Sequence, residues 1–157
     1  MKRLRQLSLW VLVTVLVLGL VGCGNNQKQR DMESLYADLN KQINFSNQMS
    51  ELTSEELPET MNYDPADLVD SIAYIAGDGA TADTCIILEA KDRRACKRLV
   101  KALSGRKDNL LKSFRDYVPA EISKIEGAVL DSNGKYAVLV ISPDNHVAQQ
   151  IVEKWFK

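Results

Sequence analysis

Apolar residues recur along this chain with three different spacings. From Leu7 to Gly22 they form a run without a single charge. Met32, Leu35, Tyr36, Leu39 and Ile43 then fall at helical spacing, with Asp31 and Glu33 at the start, where a helix macrodipole favours negative charge. This predicts an amphipathic N-terminal helix. Asn44 to Tyr63 has no clear period. Thr53-Ser54-Glu55-Glu56 fits a capping box, and Pro58 limits any helix there to a short piece. Asp64-Pro65 marks a turn or a helix start.

The third spacing is an approximate repeat. Cys85-Ile86-Ile87-Leu88-Glu89-Ala90 matches Ala137-Val138-Leu139-Val140-Ile141-Ser142, fifty-two positions on. Asp92 matches Asp144, and Cys96, Leu99 and Val100 match Ala148, Ile151 and Val152. Each unit reads as an apolar strand, an Asp cap and an amphipathic helix. Each strand also follows another apolar stretch. Ile125 to Leu130 leads through Asp131-Ser132-Asn133-Gly134 into Lys135 to Ser142, and Asn-Gly between apolar runs signals a hairpin. By analogy, Ser71 to Ala76 leads through Gly77-Asp78-Gly79 into Asp83 to Ala90. Read in isolation, Leu68 to Ala76 also fits a helix; the analogy favours the strand. Between the units, Leu110, Leu111, Phe114 and Tyr117 form a further helical stripe that Pro119 stops. It either continues the first unit's helix through Ser104-Gly105 or is broken from it at Gly105. The predicted fold is a single α+β domain over residues 31–157: an N-terminal helix, then two ββα units. They form a two-layer sandwich, with a four-stranded, mostly antiparallel sheet and helices on one face.

The uncharged run carries an address. Lys2, Arg3 and Arg5 precede it with no acidic residue, as in a secretory signal. A membrane-spanning helix needs about 20 apolar residues, and this run is shorter and broken by Gly19 and Gly22. Leu20-Val21-Gly22-Cys23 resembles the lipobox of bacterial lipoproteins, with Val21 bulkier than the small residue usual there. The resemblance implies signal peptide 1–22, recognition of Leu20, Val21 and Gly22 by the lipoprotein signal peptidase, and lipidation of Cys23. Residues 23–30 then form a lipidated, polar tether. The domain would sit on the extracytoplasmic face of the cell membrane, held by two acyl chains, since one alone binds marginally.

Cleavage there leaves 135 residues, enough for one domain. It removes three of the 20 basic residues and none of the 21 acidic ones, so the net charge moves from −1 to −4. Two cysteines remain. With Cys85 in mid-strand, the strand runs about 20 Å beyond it, and the returning helix recovers only about 7 Å by Cys96. A disulfide needs Cα atoms within about 7 Å, so free, buried thiols are expected. His146, the single histidine, falls in the first turn of the last helix and is expected to face solvent. One histidine and two separated cysteines cannot supply a zinc site. Asp131-Ser132-Asn133-Gly134 lacks the glutamate that would close a calcium loop. Gly77-Asp78-Gly79 lacks the lysine of a phosphate loop. No catalytic constellation, metal or cofactor is expected. Trp155 and Phe156 extend an apolar stripe with Ile151 and Val152 and are expected in the core. Tyr74 and Tyr136 are expected on strands, lining an exposed sheet face.

Arg106, Tyr117-Val118-Pro119, Gly134-Lys135-Tyr136 and Ser142-Pro143-Asp144 occur in an order that resembles the bacterial domain-of-unknown-function family numbered 4358, from about Met49 to Lys157. Members are mostly small lipoproteins of Gram-positive bacteria. The resemblance implies anchoring and one compact domain, and brings no activity or catalytic residue.

Charge is unevenly placed. Lys91 to Arg115 holds ten basic and two acidic residues, whereas Asp31 to Asp70 holds ten acidic and one basic. Cys96, Leu99, Val100 and Leu103 point one way along a helix; Arg94, Lys97, Arg98 and Lys101 point the other. This basic ridge is either a solvated face or a contact for anionic headgroups, a cell-wall polyanion or an acidic envelope protein. Export disfavours nucleic acid. The sequence thus predicts a membrane-anchored, non-enzymatic binding or assembly module of the envelope. The alternatives are capture of a small ligand or peptide on the open sheet face and, behind that, an envelope hydrolase.

Overall fold

The computed structural model describes residues 29–77 and 79–157. The expected signal peptide with Leu20, Val21 and Gly22, the expected lipidation residue Cys23 and Asp78 of the expected turn lie outside them. The described residues form five helices and a five-stranded antiparallel sheet. In chain order these are α1 (Met32–Gln42), β1 (Met49–Glu51), α2 (Leu57–Thr60), a 3-10 turn (Pro65–Asp67), β2 (Leu68–Ala76), β3 (Thr84–Ala90) and α3 (Arg93–Tyr117). A second 3-10 turn (Pro119–Glu121), α4 (Ile122–Glu126), β4 (Val129–Asn133), β5 (Tyr136–Ile141) and α5 (Asn145–Phe156) complete the chain. The strand order is β1-β2-β3-β5-β4.

The local signals act where the sequence places them. Asp31 caps α1 by accepting from the Ser34 N–H. Asp92 accepts from the N–H groups of Arg94 and Ala95, and Asp144 from that of Val147. Thr53 and Glu56 bond reciprocally, each backbone N–H to the other's side chain. Asn133 pairs with Tyr136 across a tight turn in which Gly134 has φ +66°, a left-handed conformation open to glycine without steric cost. Leu68 to Ala76 is a strand, and α3 passes through Gly105 without a break.

The α+β class and the antiparallel sheet are as expected. The fifth strand, β1, pairs Met49 with Ala76 and Glu51 with Tyr74 at the β2 edge. Helices α3 and α4 cover one face, where Ile86, Leu88, Leu139 and Ile141 meet Leu99, Leu103 and Ile125. The other face is not left open. There Cys85, Ile87, Val138 and Val140 meet Leu35 and Leu39 of α1 and Ile151 and Val152 of α5. Every residue of β3 and β5 is buried. Strands apolar at successive positions need cover on both sides, and each fully buried Leu or Ile contributes about 1.5–3 kcal/mol.

The register explains the second helical layer. Cys85 lies opposite Val140, and Leu88 opposite Ala137. Residues 137 and 140 are the repeat equivalents of 85 and 88, and positions three apart on a strand lie on opposite faces. Cys85 accordingly belongs to one apolar cluster and Ala137 to the other. Equivalent side chains therefore point to opposite faces, and so do the helices that follow them. The two thiols end up on opposite sides of the sheet, free and buried. Burial pushes the Cys85 thiol up to about 12, which removes it as a nucleophile near neutral pH.

The expected exposed sheet face with Tyr74 and Tyr136 is absent. Tyr136 is buried. Tyr74 stacks on Tyr36 of α1, with ring centroids 4.6 Å apart.

Candidate functional site

Helix α3 carries the chemistry that the fold does not use up. Its apolar stripe (Ala95, Cys96, Leu99, Ala102, Leu103, Phe114) faces the sheet. Arg94, Lys97, Arg98 and Lys101 are all exposed, as the sequence predicts. They are not equivalent. Arg98 turns onto Asp67, a carboxylate only 1 % exposed, in a bidentate pair with its Nε and Nη2 each 2.6 Å from a carboxylate oxygen. Lys91 Nζ adds a contact of 3.0 Å, and the Lys91 N–H donates to the Asp67 carbonyl. The hydrogen bonds from Arg98 hold the Asp67 carboxyl well below the usual carboxylate range. This clamp fixes the 3-10 turn against the β3–α3 corner.

The clamp also holds the preceding segment, Thr60 to Asp64, beside α3. Between that segment and the stretch of α3 from Arg98 to Asn109 lies a cleft of about 440 Å³, within the usual size range of small-molecule sites. Arg106 and Tyr63 both line it. The Arg106 Nε and the Tyr63 hydroxyl are closed off from solvent, and neither has a hydrogen-bond partner among the described residues. Burial lowers the Arg106 pKa and raises that of Tyr63. Buried polar groups without partners are uncommon, because each carries a desolvation cost that no bond offsets. Gly105 lies between Lys101 and Arg106 on the same wall, and a Cβ added there would meet nothing within 4 Å.

The ridge residues thus divide. Arg98 and Lys101 line the cleft. Arg94 and Lys97 lie nearer the helix start, outside it. The sequence reading did not single out Arg106 and Tyr63 as a site. A signal for Arg106 exists: Leu99, Leu103, Arg106 and Leu110 continue one stripe at spacings of three and four, so a cation interrupts an apolar row. Tyr63 carries no such signal, because its position depends on the Asp67 clamp.

Other polar clusters are satisfied internally. Lys124 Nζ lies 2.8 Å from Asp83 and 2.6 Å from Glu121. Thr81 and the Ala82 N–H bond the same carboxylates. For Glu121, burial alone would raise the pKa, but these bonds overcome it and the carboxyl is held low. The cluster fastens the β2–β3 loop to α4. His146 is exposed and pairs with Gln150 at 3.2 Å. Among the described residues no group of three His, Cys, Asp or Glu side chains is placed to hold a metal.

At the start of the described residues, the Arg30 N–H donates to the Tyr136 hydroxyl at 3.0 Å. The Arg30 guanidinium donates to the carbonyls of Trp155 and Phe156 and packs over both rings. Phe156 is buried and Trp155 half-buried. The start of the domain is therefore fixed to the end of α5, beside the first residue of β5.

No helix among the described residues is long and apolar enough to cross a membrane. No curated protein and no solved structure matches the chain. The family model for the domain of unknown function DUF4358 does match, over residues 41–142, from the last turn of α1 to the end of β5. That stretch is well over half of the 157 residues and contains the whole cleft, and the chain belongs to the DUF4358 family.

Proposed function

We propose that this protein is a lipid-anchored binding module on the extracytoplasmic face of the cell membrane, which holds a small ligand in the α3 cleft and performs no chemistry on it. The observation that carries this reading is the pair of unpartnered, water-excluded polar atoms on residues lining the cleft, Arg106 Nε and the Tyr63 hydroxyl. With both sheet faces packed, capture on an open sheet loses its surface and the cleft takes its place. The lipobox-like Leu20-Val21-Gly22-Cys23 supports the anchoring. Arg30, seven residues after Cys23, is held by the Tyr136 hydroxyl and the end of α5, so a lipid on Cys23 would keep the domain close to the membrane. At that distance the exposed Arg94 and Lys97 could reach headgroups or a cell-wall polyanion, where each cation contributes about 1 kcal/mol.

Two experiments test this. Metabolic labelling with an alkyne palmitate in a lipoprotein-processing Gram-positive host should mark the wild type and leave Cys23→Ala unmarked. An unmarked wild type rejects the anchor. A ligand-observed fragment screen on the full chain in mild detergent should give hits that Gly105→Trp removes by filling the cleft. Hits that survive that change reject the cleft as the binding site.

A further inference from the structure

We infer that the ligand of the cleft carries an oxyanion, a carboxylate or a phosphate, received by Arg106 and Tyr63. This rests on the binding reading above and names the class of its ligand. A guanidinium has five N–H donors and no acceptor, so whatever completes Arg106 must accept hydrogen bonds. It must also supply charge, because a buried cation without a counter-ion is costly. The protein does not supply it. Asp67, the buried carboxylate that lines the cleft, is already spent on Arg98 and Lys91. Asp64 stands exposed at the rim, and Lys101 on the opposite wall offsets it. With Arg98 and Asp67 cancelling, the cleft keeps one net positive charge, on Arg106, the least exposed of its three cations. The planar fork of arginine fits the two oxygens of a carboxylate or phosphate edge. The Tyr63 hydroxyl, also without a partner, offers a further donor.

Gly105 adds a second observation. Glycine is a poor residue for the middle of a 25-residue helix, and no neighbour excludes a side chain there. Its absent side chain keeps the cleft open beside Arg106. Met61 and Ala102 give the same walls some apolar surface, which suits an anion carried on a compact apolar body.

The test follows the Arg106 Nε–H resonance of the full chain in nonionic detergent by NMR, at constant ionic strength set with chloride. The probes are inorganic phosphate, benzoate and benzamide, the last a neutral match for benzoate. Phosphate or benzoate should move that resonance saturably, benzamide about tenfold more weakly, as expected when one charged hydrogen-bonded contact is lost. Whichever anion saturates first identifies carboxylate or phosphate as the group recognised. Arg106→Gln and Tyr63→Phe should each weaken the better anion by about tenfold. In the absence of ligand, Arg106→Gln should melt no lower than wild type, since it removes an uncompensated charge. A clear fall in its melting temperature would assign Arg106 a structural role and overturn the inference. Tyr63→Phe keeps the test open if Arg106→Gln fails to fold. If benzamide moves cleft resonances and neither anion moves Arg106, the oxyanion class is wrong and the binding reading stands. If no probe moves any cleft resonance, both fall.

Discussion

The two ββα units share one pattern and end in different roles. In each, an apolar strand leads through an aspartate cap into an amphipathic helix, and the two caps act alike on their helices. The helices then diverge. Helix α5 has 12 residues and ends against Arg30. Helix α3 has 25, and its outer face meets α2 and the first 3-10 turn across the cleft. The second unit packs its helix against α1 and the chain start. The first keeps a polar, partly unsatisfied flank. A fold can thus use one copy of a motif as framework and leave the other copy room for recognition.

That comparison can be broken most directly in the core. Leu99 and Ile151 are repeat equivalents, 0 % and 8 % exposed. Leu99→Ala should cost about 3–5 kcal/mol and Ile151→Ala about 2 kcal/mol, by denaturant unfolding. Equal costs would mean that the two helices are anchored alike.

Acid provides the next largest contrast. The folded pKa of Asp67 is depressed by Arg98, so its contribution is present above the ordinary carboxyl value and lost as pH falls below about 4. Asp67→Asn should lower the melting temperature at neutral pH. The gap from wild type should close in melts taken progressively below that point. A gap that persists at low pH would show that the clamp does not depend on charge.

A smaller effect separates the caps. Asp92 accepts from two backbone N–H groups and Asp144 from one, so Asp92→Ala should lower the melting temperature further. The reverse order would place the weaker cap on the longer helix. The smallest change is a gain: Gly105→Ala should stabilise by about 0.5–1 kcal/mol, since alanine is the better helix former. A loss there would reveal a constraint on the cleft wall that the open space around Gly105 does not suggest.

What could be read from the sequence was mostly local. The aspartate caps, the hairpin at Gly134, the end of α3 at Pro119 and the inner stripe of α3 each depend on residues within a few positions of one another. The edge strand Met49–Glu51 was not legible, because three residues of mixed polarity become a strand only by pairing with β2. The second helical layer depends on the β3–β5 register, set between residues about fifty apart. One sign of it was in view: Cys85 to Leu88 and Ala137 to Ile141 are apolar at every position, not alternating, as befits strands covered on both faces. The ridge Arg94, Lys97, Arg98 and Lys101 was legible as a surface, but the loss of Arg98 to Asp67 was not. Neither was the emergence of Arg106 and Tyr63 as the unpaired members.

The hold on Arg30 has a mechanical consequence. A pull on the N-terminus enters the domain at that residue and is shared between the Tyr136 hydroxyl and the last carbonyls of α5. The load then passes into β5 and the α1–α5 layer. Helix α3 lies on the opposite face, off that route. Tension that frays the attachment would therefore load the α1–α5 layer before the cleft.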